Sequence, residues 1–275
     1  MKTSFLFAFI ILFGSVCFAQ EDMLRVKQIT LKDGSELVGR IIDENYTEIS
    51  FITNSGVEMK IKRELIQEIK DIEMEEHGGK LRRVDPNQTR LLFSPTGRPL
   101  KQGKGYFSVY EIFFPMVSFG LTDFLAMSGG MSLFPGADEQ LIYLAPKVNL
   151  LNQENFALSG GVLYMTITDE SAGIAYGVAT FGKSSGAFTL GLGWGFVEGD
   201  FSSKPMIVLG GEVQLSGSTK LITENWLPPG DNGAIISFGI RFFGSNLAAD
   251  FGLITSTEAS DGFPFLPWLG FAYNF

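Results

Sequence analysis

The chain has 275 residues with 30 acidic and 21 basic side chains, one Cys and one His. Its formal net charge of −9 argues against nucleic acid as a partner, because binding phosphates requires surplus cations that displace counterions. One Cys excludes a disulfide framework, and one His excludes a multi-histidine metal centre or a histidine relay. The charge is unevenly spread. Residues 20–104 hold 15 basic and 15 acidic groups, whereas residues 105–275 hold only 5 basic and 15 acidic. The second segment nevertheless carries 25 of the 33 glycines and 19 of the 26 phenylalanines, a composition foreign to an ordinary soluble globule.

Residues 1–19 read as a secretory signal. Lys2 supplies the basic start, residues 5–18 are mostly apolar, and Ala19 precedes the acidic Gln20-Glu21-Asp22. The apolar run falls short of the roughly 20 residues a membrane helix needs. Cleavage after Ala19 removes Cys17, the only cysteine.

Residues 24–72 break into short strands separated by turn chemistry. Strands are expected at 26–31, 36–42, 48–53, 57–62 and 66–70, with a helical turn at 63–65. Asp33-Gly34 and Asn54-Ser55-Gly56 provide the positive φ angles of tight hairpins. Leu31-Lys32-Asp33-Gly34-Ser35, followed by Gly39, resembles the first hairpin of SH3-like or Sm-like small barrels. That resemblance implies a five-stranded module, here exported and therefore a docking or spacer element touching peptide, peptidoglycan or another periplasmic protein. Residues 73–88 read as a charged linker, with acidic Glu73, Glu75 and Glu76, then His77-Gly78-Gly79, then basic Lys80, Arg82 and Arg83.

Beyond residue 89 the sequence alternates with period two. Phe188, Leu190, Leu192, Trp194 and Phe196 share one face of residues 187–197, opposite Thr189, Gly191, Gly193 and Gly195. Ile174, Tyr176 and Val178 likewise oppose Gly173, Ala175 and Gly177, and Phe238, Ile240 and Phe242 oppose Gly239 and Arg241. A soluble sandwich would place charge on its second face. Here that face is Gly, Ala and Ser, as expected when bulky side chains meet lipid and small ones line a barrel. Strands are expected at 89–94, 105–121, 124–134, 140–151, 156–167, 173–181, 186–197, 205–215, 219–227, 233–243, 246–255 and 265–275, joined by turns that alternate between short and long. The expected fold class is therefore all-β: a closed antiparallel transmembrane barrel of about 12 strands, with 10 or 14 as alternatives. Trp194, Trp226 and Trp268 suit interfacial aromatic girdles.

The chain ends Leu269-Gly270-Phe271-Ala272-Tyr273-Asn274-Phe275. This resembles the terminal strand by which bacterial outer-membrane barrels are recognised by their assembly machinery, and implies that Phe271, Tyr273 and Phe275 form that signal. As a whole the chain resembles a type of envelope protein from Bacteroidetes-like bacteria in which a small β module is fused to an outer-membrane barrel. The resemblance supplies architecture and no activity.

No chemistry declares itself. Gly191-Leu192-Gly193-Trp194-Gly195 lacks the helix a phosphate loop needs, and residues 78–275 contain no His to serve as a general base. No catalytic residue, cofactor or metal ligand is assigned. Glu111, Lys147, Glu212, Arg241 and Asp250 are candidate lumen-facing charges, with Arg241 and Asp250 placed to pair across a short turn. The expected role is a small passive channel or a structural and docking component of the outer membrane, in contact with lipid and lipopolysaccharide. A soluble surface β-protein binding an apolar ligand is the alternative, and an outer-membrane enzyme the third.

Overall fold

A computed structural model describes residues 24–77, 80–230, 233–258 and 265–275. The expected signal segment lies outside the described residues. The N-terminal strands are β1 (Leu24–Leu31), β2 (Glu36–Glu44), β3 (Glu48–Thr53), β4 (Glu58–Lys62), β5 (Ile66–His77) and β6 (Lys80–Arg83), with a 3-10 turn at Arg63–Leu65. They form one sheet in the order β4-β3-β2-β1-β5-β6. The turns follow the sequence chemistry: Gly34 and Gly56 take φ of 87° and 86°, and the Asp33 carboxylate accepts a hydrogen bond from the Ser35 amide. Ile29, Ile49, Phe51 and Ile61 are buried together as the core of this sheet.

Two expectations for this region are corrected. The sheet is open and six-stranded rather than a closed five-stranded barrel. The stretch expected as linker instead continues β5 to His77 and supplies β6, which pairs from Met74↔Arg83 to His77↔Lys80. Of the acidic and basic residues read as solvated tether, Glu75 lies directly opposite Arg82 on these antiparallel strands, where unlike charges favour pairing.

The barrel consists of β7 (Gly105–Tyr110), β8 (Phe114–Gly120), β9 (Leu125–Met131), β10 (Ile142–Gln153), β11 (Phe156–Ile167), β12 (Glu170–Lys183) and β13 (Gly186–Val197), then β15 (Met206–Ser216), β16 (Thr219–Leu227), β17 (Ile235–Phe243), β18 (Leu247–Ser256) and β19 (Leu266–Asn274). A two-residue strand, β14 (Asp200–Phe201), only extends the β13 ribbon. Each of the 12 pairs antiparallel with its neighbours, and β19 pairs with β7 to close the ring. Closure leaves no unpaired edge, the condition for placing a sheet in hydrocarbon. Gly105 and Phe275 exchange backbone hydrogen bonds of 3.0 and 2.9 Å, so both barrel termini lie at one end, called the base below.

The exterior is an apolar belt. Phe188, Trp194, Phe238 and Phe271 are 49, 39, 53 and 44% exposed and point away from the lumen. Serine, threonine and charged side chains on the other face are almost fully buried, among them Ser108, Ser159, Thr189 and Arg241. The molecule is thus a membrane-spanning β-barrel of the outer-membrane type, built as apolar outside and polar within.

Strand membership differs from the sequence expectation although the number is the same. Residues 105–121 are not one strand but the hairpin β7–β8, turning at Glu111 and Ile112 with φ of 48° and 66°. Residues 89–94 are not a wall strand and lie inside the barrel. The sidedness of β12 is also reversed. Val178 is buried opposite Gly191, and Tyr176 lines the interior, while the small residues of β12 face outward. Trp226 and Trp268 likewise point inward: Trp226 donates to the Glu224 carboxylate, and Trp268 packs on Phe93 and Tyr110.

Candidate functional site

The lumen is occupied by the chain's own residues 85–100. This segment enters at the base, where the Asp85 amide donates to Ser184 Oγ, and returns there before β7 begins. Inside, it folds into a narrow loop: Thr96 N donates to Thr89 O, Leu91 N donates to Ser94 O, and Arg90 bridges Pro95. Two prolines, Pro95 and Pro99, flank the returning limb and resist its absorption into a strand. Leu91 and Leu92 form the tip with Ile222, and Trp268 packs against them. Wall glycines make the room. A Cβ at Gly210 would collide with the Leu91 side chain, and one at Gly239 would crowd Leu92 at 3.1 Å. On the inserted loop itself, a Cβ at Gly97 would strike the Ala157 carbonyl of β11.

Ion pairs fix the loop to the wall. Asp85 accepts from Lys220 Nζ at 3.0 Å and Arg241 Nη1 at 2.9 Å. Asp250 accepts from Arg241 Nε at 2.6 Å and from Arg90 Nη1 at 2.5 Å. Glu212 pairs with Lys220 at 2.9 Å and with Arg98, whose guanidinium also donates to the Lys183 carbonyl at 2.9 Å. Among the described residues no cation pairs with Glu224. It accepts from the amides of Phe93 and Ser94, from Ser94 Oγ and from Trp226 Nε1. All these carboxylates are nearly inaccessible to solvent. Buried pairs of this sort gain little over apolar packing, but removing one partner strands a charge, so the network enforces a single seating of the loop.

Of the candidate charges, the structure brings Glu212, Arg241 and Asp250 into this network, with Arg241 directly opposite Asp250 across β17–β18. Lys147 also faces inward, donating to the carbonyls of Thr89, Thr96 and Arg98 at 3.4, 3.3 and 2.8 Å. Glu111 does not line the lumen. It sits in the β7–β8 turn, where its carboxylate accepts from the Leu269 amide at 2.7 Å. The reading from sequence missed Asp85, Arg90, Arg98, Lys220 and Glu224. Lys220 and Glu224 share the phase of Ile222 on β16, so alternation alone would have placed them inward.

The N-terminal sheet sits against the base. Arg82 donates to the Gln214 carbonyl at 2.5 Å, Lys70 to Asn246 at 3.3 Å, and Ser245 to Gln28 at 2.7 Å. Between sheet and barrel lies a cleft of about 550 Å³ whose lining includes Lys70, Glu73, Arg83, Lys101 and Lys104. It shares Thr89 and Leu100 with a smaller lumen cavity of about 80 Å³ beside the inserted loop.

No family model matches the chain, and no curated protein matches it. Solved structures do resemble it. A KdgM porin is 7% identical, covers 62% of this chain and 98% of its own, and gives a TM-score of 0.49. A NanC porin is 8% identical over 62% of this chain and 97% of its own, with a TM-score of 0.43. OmpT, an outer-membrane protein of Vibrio cholerae, is 11% identical over 92% of this chain and 95% of its own, with a TM-score of 0.32.

Proposed function

We propose that this chain is an outer-membrane β-barrel that serves the cell envelope as a small passive channel, narrowed by its own residues 85–100. Residues 24–72 act as a periplasmic docking module of the Sm/SH3-like kind. The observation that carries the reading is a closed barrel with a lipid-compatible exterior and a polar lumen occupied by a segment held by ion pairs and by hydrogen bonds to wall side chains rather than as a wall strand. The strand order β4-β3-β2-β1-β5 supports the Sm/SH3-like reading, with β6 as an addition at its edge. Phe271, Tyr273 and Phe275 lie on the outward face of the closing strand, which suits an assembly signal read by the barrel-assembly machinery. Lipid and lipopolysaccharide cover the belt, and peptidoglycan or a periplasmic protein meets the module. No catalytic role falls to the interior carboxylates, since Asp85, Glu212 and Asp250 are held by cations and Glu224 by four donors.

A second reading, a structural or docking component with a permanently sealed lumen, is favoured by the ion-pair network itself. Planar-bilayer recording separates the two. Purified protein is compared with a variant in which residues 86–98 are replaced by a short Gly-Ser linker. The channel reading expects small steps from the native chain and larger, stable steps from the variant. A native chain that never conducts, beside a variant that does, supports the sealed component; silence from both, with the barrel folded, refutes the channel.

A further inference from the structure

The charges of the lumen are gathered toward its base, where the ion pairs hold the inserted loop. Toward the opposite end, the mouth, the inward face changes character. Leu163 of β11, Ile174 of β12, Val208 of β15, Trp226 of β16 and Ile254 of β18 continue the inward phase of their strands on the mouth side of the buried polar residues. Leu163 lies directly opposite Ile174, and Val208 opposite Trp226. None of the five is charged and all are half-buried, so each keeps part of its hydrocarbon bare inside the barrel. Between Ile174 and Val208, β13 presents only Gly191, Gly193 and Gly195 on this face, which leaves the wall without side chains and widens the space.

The loop closes that space from below. Phe93, next to the loop tip, is 36% exposed although it lies within the barrel. Its amide donates to Glu224, and its ring meets Tyr110 and Trp268 edge-on at 5.4 and 6.3 Å. The cavity of about 80 Å³ beside the loop adjoins the same band, since Leu163 and Tyr176 line it together with Phe93 and Met116. The two cations along it turn their charged ends elsewhere: Lys147 Nζ faces three loop carbonyls, and the Arg90 guanidinium lies over the Tyr110 ring at 5.4 Å and pairs with Asp250. The result is an enclosed chamber of apolar walls over an aromatic floor. Water gains little there, whereas an apolar solute gains from leaving water.

We propose that the mouth half of the lumen binds one uncharged, apolar molecule carrying an aromatic ring, which enters from the mouth and rests on Phe93 beside Trp226. The ring follows from the floor, because aromatic groups pack edge-to-face on Phe and Trp. Entry from the mouth follows from the loop, which fills the route from the base. The inference rests on the barrel reading and deepens it by naming a solute class; it does not require that the lumen conduct.

The test uses the full mature chain in phospholipid vesicles, with bromobenzene as the probe and its bromine as the quencher. Trp194→Phe with Trp268→Phe leaves Trp226 as the reporter; Trp226→Phe with Trp268→Phe leaves Trp194 on the belt. Trp226 should be quenched saturably, at about one bromobenzene per chain, and not by 4-bromobenzoate, whose charge the chamber does not match. Trp194 should be quenched in simple proportion to the bromobenzene dissolved in lipid. In the Trp226 reporter, Phe93→Ala should weaken binding about fivefold, as loss of one aromatic contact does. Ile174→Asp, which puts a charge on the wall, should weaken it at least tenfold. Quenching of Trp226 no greater than random collision gives would overturn the proposal and leave the barrel reading standing. Proportional quenching of Trp226 that parallels Trp194 would overturn both, because Trp226 would then face lipid. Equal binding of 4-bromobenzoate, or binding that Phe93→Ala leaves unchanged, would also overturn the proposal, even if Ile174→Asp fails to fold.

Discussion

Replacing Asp85 with Asn should unseat the inserted loop while leaving the barrel closed. The carboxylate is fully buried and accepts from Lys220, Arg241 and the Asn87 amide at 3.0, 2.9 and 2.8 Å. An amide keeps the shape but loses the charge that faces both cations. Breaking a buried pair by removing one partner costs about 3–5 kcal/mol. Lys220 retains Glu212 and Arg241 retains Asp250, so the lower end applies, about 3 kcal/mol. At about 1.4 kcal/mol per decade that is roughly a hundredfold rise in the unseated population. Trypsin reads this directly, because the bond after Arg90 is inaccessible in the seated loop. When opening is fast relative to cleavage, scission follows the open population. Mass spectrometry of the folded, heat-modifiable barrel should show scission after Arg90 about a hundredfold faster in D85N. Equal rates in the two proteins would refute the claim that this network holds the loop.

The same carboxyl predicts a pH response. Burial pushes Asp85 up, but Lys220, Arg241 and the hydrogen bonds from Arg241 and Asn87 outweigh it and hold the group below the usual carboxylate range. A depressed value stabilises the seated loop at every pH above the unfolded value of about 4, and the gain disappears as pH falls further; protease accessibility at Arg90 should be flat at neutral pH and rise only in strong acid. Gly97→Ala should also loosen the loop, by about 1–3 kcal/mol, because its Cβ meets the backbone of Ala157 and cannot be relieved by a rotamer change; protection of the Arg90 site would measure it. Phe238→Arg, near the middle of β17 on the belt, should cost about 2–4 kcal/mol of barrel stability in lipid, whereas an exposed position on a water-soluble protein would tolerate it. Unfolding in urea from phospholipid vesicles supplies that number.

The barrel was legible because its physics has period two, and the loop was not because it has no period. In Thr89-Arg90-Leu91-Leu92-Phe93-Ser94 a cluster of apolar residues between polar ends imitates a short strand. Arg90, in a stretch expected to form a strand facing lipid, was the available sign that it does not. Length would have divided residues 105–121, since 17 residues exceed the roughly 9–11 a tilted strand needs to cross hydrocarbon. The two errors offset each other, one strand lost inside the lumen and one gained at the β7–β8 hairpin. Alternation separates two faces without saying which is outward. For β12 the deciding residue was Thr180, which shares the phase of Ile174, Tyr176 and Val178 and bonds Thr189 across the lumen wall at 2.8 Å. The pairing of Arg241 with Asp250 could be foreseen from a short turn between alternating strands. Asp85 and Arg98 could not, because their oppositely charged partners are more than 100 residues away in sequence.

Tryptophan offers the most direct test of the orientation on which the account rests. Three single-tryptophan variants, keeping Trp194, Trp226 or Trp268 and replacing the others with Phe, are refolded into bilayers whose acyl chains carry bromine. Trp194, on the outward face, should be strongly quenched, whereas Trp226 and Trp268, held inside against Glu224 and against Phe93 and Tyr110, should keep their emission. Quenching of Trp226 and Trp268 with Trp194 untouched would contradict the account, for it would turn the barrel inside out.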